Sequence, residues 1–196
     1  MFLREDRVGE GGQYMTAVLA GFLLVLLHLK EEGLELFLKL AGYILIAGGL
    51  TGFLKESVIF ARARKGAVVL AVCAGILWLG SLYELSLSGP AATVFGWLVT
   101  AGDMYIRYMT VAGIQDMEQA GNEEFYSKEL FQVWKIWTAT LLFILLMLFI
   151  SSEFTMFLAS AAGVVYLACV VIFLIYLDRS RVAYLNYVKE REASLR

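Results

Sequence analysis

The chain has 196 residues, of which 60% are hydrophobic and 17% are charged, and its mean hydropathy is +0.74. A soluble domain is nearer half apolar, so this composition indicates a membrane protein. The net charge of −2 argues against a nucleic-acid partner, because a nucleic-acid-binding face needs clustered Lys and Arg. One histidine and two cysteines leave too few ligands for a closed zinc shell, so we expect neither a metal nor a cofactor.

Six long apolar stretches follow one another along the chain, each near the ~20 residues that a helix needs to cross a bilayer. In lipid such stretches must be helices, because an open strand would leave its backbone groups unpaired. We therefore predict an all-α integral membrane protein, a bundle of six transmembrane helices forming one domain over 1–196. The predicted spans are 14–29, 33–54, 66–83, 88–112, 133–151 and 154–177, followed by a juxtamembrane helical tail over 178–196.

The joints between the predicted spans alternate in length and charge. Three are tight turns, so the spans pair as three helical hairpins: Lys30–Glu32, Glu84–Gly89 and Ser152–Glu153. Lys and Arg are concentrated instead in the two tails and in longer joints such as Lys55–Lys65. Cytoplasmic loops carry an excess of these residues, so we predict that both termini are cytoplasmic, and we expect the plasma membrane. Aromatic residues expected at the same interface are Tyr14, Tyr105, Tyr108, Tyr126, Trp134, Trp137, Tyr176, Tyr184 and Tyr187.

The joint before the fifth span contains a helix stop and a restart. Gly121 suits the left-handed position that often ends a helix. Asn122 is a good N-cap, and it would place Glu123 and Glu124 in a first turn, where the helix dipole favours negative charge. The pattern predicts that the fifth helix begins at this point, before it enters lipid.

Asp103 and Arg107 in the fourth span form the most informative polar pair. They are four residues apart, so they can pair on one helix face. Counted from Pro90, Arg107 lies roughly 25 Å along the span and is expected to snorkel to the inner interface. Ionisable residues inside a span are costly and often functional, so two interpretations stay open: a structural ion pair, or a site for a solute, ion or proton. Residues expected near that site on the same helix are Thr100, Tyr105 and Tyr108.

A second group of polar residues lies at the predicted outer rim. His28 and Glu32 are four apart, a spacing that suits a metal if the helix continues through them, and Glu84 lies at the next outer turn. Glu35 and Lys39 have the spacing of an ion pair. We expect solvated interface charges here, with a weak cation or proton site as the alternative.

Small residues recur at four-residue spacing in most spans, and such rows let membrane helices approach closely. We expect them to pack the bundle internally, with formation of a homo-oligomer as the alternative. The rows are Ala17/Gly21, Gly48/Gly52, Ala67/Ala71/Gly75, Ala92/Gly96 and Ala159/Gly163.

Six spans in a chain of this size, with both ends inside, resemble the substrate-binding subunits of energy-coupling-factor vitamin transporters. The resemblance lies in size and topology, without a shared residue motif, and is a fold-level analogy. The leading hypothesis is binding or passage of a small solute or ion, alone or as the membrane subunit of a transporter. The alternative is a non-catalytic scaffold or regulatory subunit whose cytoplasmic loops bind a protein partner. An enzyme is the least favoured class, because a nucleophile with a matching base is missing.

Overall fold

A computed structural model describes residues 5–27, 31–83, 89–121, 123–150 and 153–193 of the chain. These residues form six α-helices and contain no strand, so the predicted all-helical class is confirmed. The helices are α1 (Glu5–Leu26), α2 (Glu32–Thr51), α3 (Val58–Leu82), α4 (Pro90–Gly121), α5 (Ser127–Phe149) and α6 (Glu153–Ala193).

Four of these helices contain a stretch long and apolar enough to cross a membrane, as expected of a membrane protein. The stretches are Gly33–Thr51, Val58–Leu82, Ser127–Met147 and Phe157–Arg191. Within the described part of the chain, α1 contributes only a shorter apolar segment, Gly12–Leu26, and α4 contributes none.

Several helices extend beyond the apolar windows from which the spans were predicted. α3 begins at Val58 and not near 66, because the Ser57 side chain caps it by accepting a hydrogen bond from the Ile59 N–H at 3.1 Å. Charged residues at the start of α3, such as Arg62 and Arg64, are exposed on helical turns and not in a loop. A charged side chain does not interrupt backbone hydrogen bonding, so hydropathy alone places the helix ends too close together.

The fifth helix begins later than the sequence predicted. α5 starts at Ser127, so the expected restart at Asn122 is wrong, although Asn122 itself lies outside the described residues. Glu118, on the last turns of α4, accepts hydrogen bonds from the backbone N–H groups of Phe125 at 3.2 Å and Ser127 at 3.1 Å. Its carboxylate therefore satisfies donors at the start of α5 that Asn122 was expected to serve.

The six helices form a closed ring in chain order. Each described helix packs against its neighbours in the sequence, and α1 packs against α6. The chain runs up and down, so the starts of α1, α3 and α5 share one end with the last residues of α2, α4 and α6. We call this the tail end and the opposite one the hairpin end. The tight joints predicted at the hairpin end fall mostly outside the described residues.

Side-chain burial differs along the ring axis. The core contains buried residues from all six helices and extends from the tail end to the middle of the bundle. Towards the hairpin end, no described residue in 92–103, 138–150 or 157–168 is buried. The same holds in the first half for 31–41 and 75–83, so the buried core of both halves lies towards the tail end and the middle of the ring.

Candidate functional site

The Asp103–Arg107 ion pair lies in the middle of the bundle. The Arg107 Nη2 group donates to Asp103 Oδ2, as the four-residue spacing predicted. The Arg107 side chain is only 2% exposed and that of Asp103 is 13% exposed. The expectation that Arg107 snorkels to an interface is wrong, because its guanidinium is held in the protein core.

Trp137 on α5 holds the guanidinium in place. The Arg107 Cζ atom lies 4.1 Å from the centre of the Trp137 ring, a cation–π contact. Trp137, predicted among the interfacial aromatic residues, is fully buried within the bundle. It lies ten residues into α5, roughly 15 Å along the axis, which brings it level with Arg107. Its ring also packs against Phe173 and Tyr166 of α6, at centroid distances of 5.5 and 5.6 Å.

Tyr43 joins the pair from across the ring. This buried residue of α2 donates its hydroxyl to Asp103 Oδ1 at 3.5 Å, a long hydrogen bond. One turn towards the hairpin end, Lys39 pairs with Glu35 at 2.6 Å, so the ion pair expected there is confirmed. Glu35, Lys39 and Tyr43 thus form a polar row along one face of α2 that leads to Asp103. We call Tyr43, Asp103, Arg107 and Trp137 the polar centre.

The polar centre has more hydrogen-bond donors than acceptors. Arg107 Nη1 donates to the Met104 sulfur at 3.9 Å, and sulfur is a weak acceptor. The Thr138 hydroxyl also lies 3.9 Å from this sulfur but donates to the Trp134 carbonyl at 2.8 Å. The Arg107 Nε and Trp137 Nε1 groups have no acceptor among the described residues. A buried N–H without a partner costs about 1–3 kcal/mol, so an oxygen-bearing group beside these atoms would be stabilised.

The three residues expected near the pair on α4 do not reach it. Thr100 donates its hydroxyl to the Gly96 carbonyl at 2.9 Å. Tyr105 is 44% exposed, since two residues along a helix place it about 200° around the axis from Asp103. Tyr108 packs against Trp134 with a centroid distance of 5.0 Å. Apart from Met104, the partners of the pair therefore come from α2 and α5.

Sequence reasoning missed Tyr43 and Trp137. The spacing of Glu35, Lys39 and Tyr43 is a usable signal, because polar groups every four residues in an apolar helix mark one face. For Trp137 the sequence contains no such signal, since its position beside Arg107 depends on how α4 and α5 cross.

Most of the predicted outer-rim site lies outside the described residues. His28 and Glu84 are outside the described residues, as is the side chain of Glu32. In the remainder of the chain, no three His, Cys, Asp or Glu side chains come together in a metal-binding arrangement.

The surroundings of the polar centre differ on its two sides. Towards the tail end, an aromatic cluster fills the ring: Phe53 packs against Phe60 at 5.5 Å and Tyr184 at 5.4 Å, and Phe125 adds to the cluster from the α4–α5 joint. Towards the hairpin end lie the segments without buried residues. Asp103, the more exposed member of the ion pair, lies on that side. The polar centre is thus closed from the tail end and less covered from the hairpin end.

Comparison of the chain with protein-family models, curated proteins and solved structures finds no match. The function of the protein is therefore inferred from the geometry of the polar centre.

Proposed function

We propose that the protein is a six-span membrane protein that binds or passes a small solute or ion at the polar centre. The observation that carries this proposal is a buried ion pair, Asp103–Arg107, with two neighbouring N–H donors that have no acceptor among the described residues. Ionisable groups at membrane depth are expensive and usually mark a site or a pathway. A purely structural pair would be expected to have its donors satisfied.

The six-span count and the orientation are part of the proposal. α1 and α4 have weaker apolar stretches than the other four helices, but both are members of the closed ring. In the ring the polar face of α4 is directed at α2 and α5, which shields it from lipid. Exposed Arg62, Arg64 and Lys65 at the start of α3 lie at the tail end, and the Lys/Arg bias of cytoplasmic segments assigns that end to the cytoplasm of a plasma membrane.

With this orientation, the hairpin end, where few described side chains are buried, faces the outside. The solute then reaches the polar centre from outside, past the Glu35–Lys39 pair and towards Asp103. The aromatic cluster at the tail end blocks further movement, so passage into the cell requires rearrangement of that cluster. A subunit that only captures the solute would need no such rearrangement.

Cysteine accessibility tests whether water-soluble molecules reach the polar centre. In a background without Cys73 and Cys169, Thr138→Cys places a thiol beside Met104, on the inner face of α5. Ile136→Cys is the matched control, because it lies about 200° around the same helix and is 54% exposed on the outer face. A small charged methanethiosulfonate added outside intact cells should modify Thr138→Cys and leave Ile136→Cys unmodified in lipid.

Equal protection of both thiols would contradict the proposal, because the bundle would then be dry at the level of Asp103. That outcome would favour the second candidate, a scaffold or regulatory subunit. Its supporting observation is the length of α6, whose 41 residues extend roughly 60 Å, about twice a hydrocarbon core. The excess length would present a helical surface at the tail end to a cytoplasmic protein partner.

The orientation has its own test. Tyr83→Cys lies at the hairpin end and Arg64→Cys at the tail end, and both native residues are exposed. In the same cysteine-free background, an impermeant maleimide should label Tyr83→Cys on intact cells, and Arg64→Cys only after permeabilisation. The reverse pattern would overturn the assignment of the tail end to the cytoplasm.

A further inference from the structure

We infer that the ligand of the polar centre is a small organic carboxylate with an apolar body, an inference that rests on the proposed function. The binding contacts are the N–H groups of Arg107 and Trp137 that have no acceptor among the described residues. Both side chains are buried, so binding requires the side chains around them to move apart. The aromatic side chains around Trp137 provide the surface for the rest of the molecule.

The imbalance between donors and acceptors determines the chemistry of the binding group. Arg107 Nε and Trp137 Nε1 have no acceptor within the described residues, and Arg107 Nη1 has only the sulfur of Met104, a weak acceptor. A ligand group that carries only acceptors, with several lone pairs, fits this set. A cationic or donor-rich group does not fit, because it would add donors beside a buried guanidinium.

Among acceptor groups, a carboxylate matches arginine best. Its two oxygens lie in one plane and can receive two N–H groups of a guanidinium fork, and the negative charge strengthens both bonds. Asp103 already accepts from Nη2, which lies on the same edge as Nε, so an incoming carboxylate would accept from Nε and share Nη2, which has two hydrogens, with Asp103.

The apolar body is inferred from the neighbours of Trp137. Tyr166 and Phe173 contact its ring, and Phe173 in turn packs edge-on against Phe22 of α1 at 5.8 Å. Tyr166 itself is only partly buried, so part of its ring is available for contact with a ligand. A ligand with an aromatic or aliphatic body would cover it, whereas an inorganic oxyanion would not.

Charge balance predicts how Asp103 affects binding. The polar centre and the adjacent Glu35–Lys39 pair contain two cations and two anions, so an incoming carboxylate adds an unbalanced negative charge. Asp103 both repels that charge and competes for Arg107. Replacing Asp103 by Asn, which keeps its shape, should therefore tighten carboxylate binding.

Calorimetric titration of the purified full chain in detergent tests the ligand class. The probes are benzoate, its neutral counterpart benzamide, and benzylammonium; acetate and hexanoate test the size and shape of the body. We expect a single benzoate site, binding of benzamide weaker by about tenfold or more, and no binding of benzylammonium. Benzamide binding as tightly as benzoate, or no binding of any of the three carboxylates, would overturn the inference.

Two variants test the residues. Trp137→Phe removes the N–H and keeps an aromatic ring, and should weaken benzoate binding by about tenfold. Trp78→Phe makes the same change on α3, where the indole packs against Phe37, and should leave affinity unchanged. Asp103→Asn should raise affinity severalfold, and it keeps the inference testable if Trp137→Phe does not fold. Unchanged affinity in Trp137→Phe, or weaker binding in Asp103→Asn, would contradict the assigned site.

The two proposals fail in different ways. Modification of Thr138→Cys together with no carboxylate binding would reject the ligand class and keep a solute site. Protection of Thr138→Cys would reject the proposed function, and a carboxylate bound elsewhere would then be insensitive to Trp137→Phe.

Discussion

The two halves of the ring are packed by different means. In α1–α3, backbone meets backbone: a Cβ atom on Gly21 would lie 2.6 Å from the Gly42 carbonyl oxygen, and one on Gly49 would lie 2.5 Å from that of Tyr14. In α4–α6, Gly96 and Gly163 have nothing within 4 Å of such an atom, as has Gly48 of α2, and large side chains such as Trp137 fill the space between helices. We call α1–α3 the wall, because its helices meet through backbone, and α4–α6 the open half, because its helices meet through large side chains.

This difference changes the meaning of the small-residue rows. Gly21 and Ala67 pack internally, as expected, and let helices approach closely. Gly96 and Gly163 share the same spacing but face open space. Four-residue spacing of small residues thus permits close packing without requiring it, and the partner helix decides which rows are used. The polar centre lies where the halves meet, with Tyr43 from the wall and its other members from the open half.

The largest expected effect comes from breaking the ion pair of the open half. Asp103→Ala leaves the Arg107 cation buried without its carboxylate, which should cost about 3–5 kcal/mol of unfolding free energy. Arg107→Ala should be milder, because Asp103 is the more exposed partner. The double variant Asp103→Leu/Arg107→Leu should regain most of the loss, because it leaves no buried charge unpaired. Thermal and denaturant unfolding in detergent measure the three variants.

A double-mutant cycle built from the matched Leu single variants gives the coupling directly. Additive losses would mean that the two side chains do not interact, and the buried pair would then have no energetic role. Thr138→Cys can also be combined with the double variant Asp103→Leu/Arg107→Leu. If this protein stays stable but the methanethiosulfonate no longer modifies the thiol, the ion pair also shapes the path to the polar centre.

The next effect concerns the close-packed wall. Gly21→Ala should destabilise the protein by about 1–3 kcal/mol, because the new methyl group meets backbone that cannot move without separating α1 from α2. Gly163→Ala is the matched control in the open half. It should be neutral or stabilising by up to ~1 kcal/mol, since alanine is the better helix former. Equal losses at both positions in thermal unfolding would mean that the halves do not differ in packing.

The smallest expected effects are at the helix starts, where one capping side chain in each half of the ring can be compared. Glu118→Gln keeps the length of the side chain that caps α5 but removes its charge, and should cost about 1 kcal/mol. Ser57→Ala removes the cap of α3 in the wall and should also cost about 1 kcal/mol. Hydrogen exchange should show faster exchange of the Ile59 amide in Ser57→Ala, and of the Phe125 and Ser127 amides in Glu118→Gln. Loss of protection spread over the whole chain would contradict a local capping role.

The parts of the structure that sequence could predict are those set by local spacing. Apolar runs predicted the helices, and the four-residue intervals predicted the Glu35–Lys39 and Asp103–Arg107 pairs. The predicted starts of α3 and α5 are wrong. Hydrogen bonds to the side chains of Ser57 and Glu118 determine them, and a hydropathy pattern does not register hydrogen bonds. The position of Trp137 could not be predicted, since it depends on the crossing of two helices whose contact is set by the whole ring.

The order of helices around the ring has a consequence for biogenesis. Each helix after α1 packs against the helix synthesised just before it, so assembly during membrane insertion needs few contacts between distant parts of the chain. The exception is the seam between α1 and α6, where Thr16 receives a hydrogen bond from Arg181 at 3.1 Å and Phe22 meets Phe173. This seam forms only when the last helix has been made. Until then the face of α1 that meets α6 lacks its final packing partner, so closure of the ring is the last step of assembly.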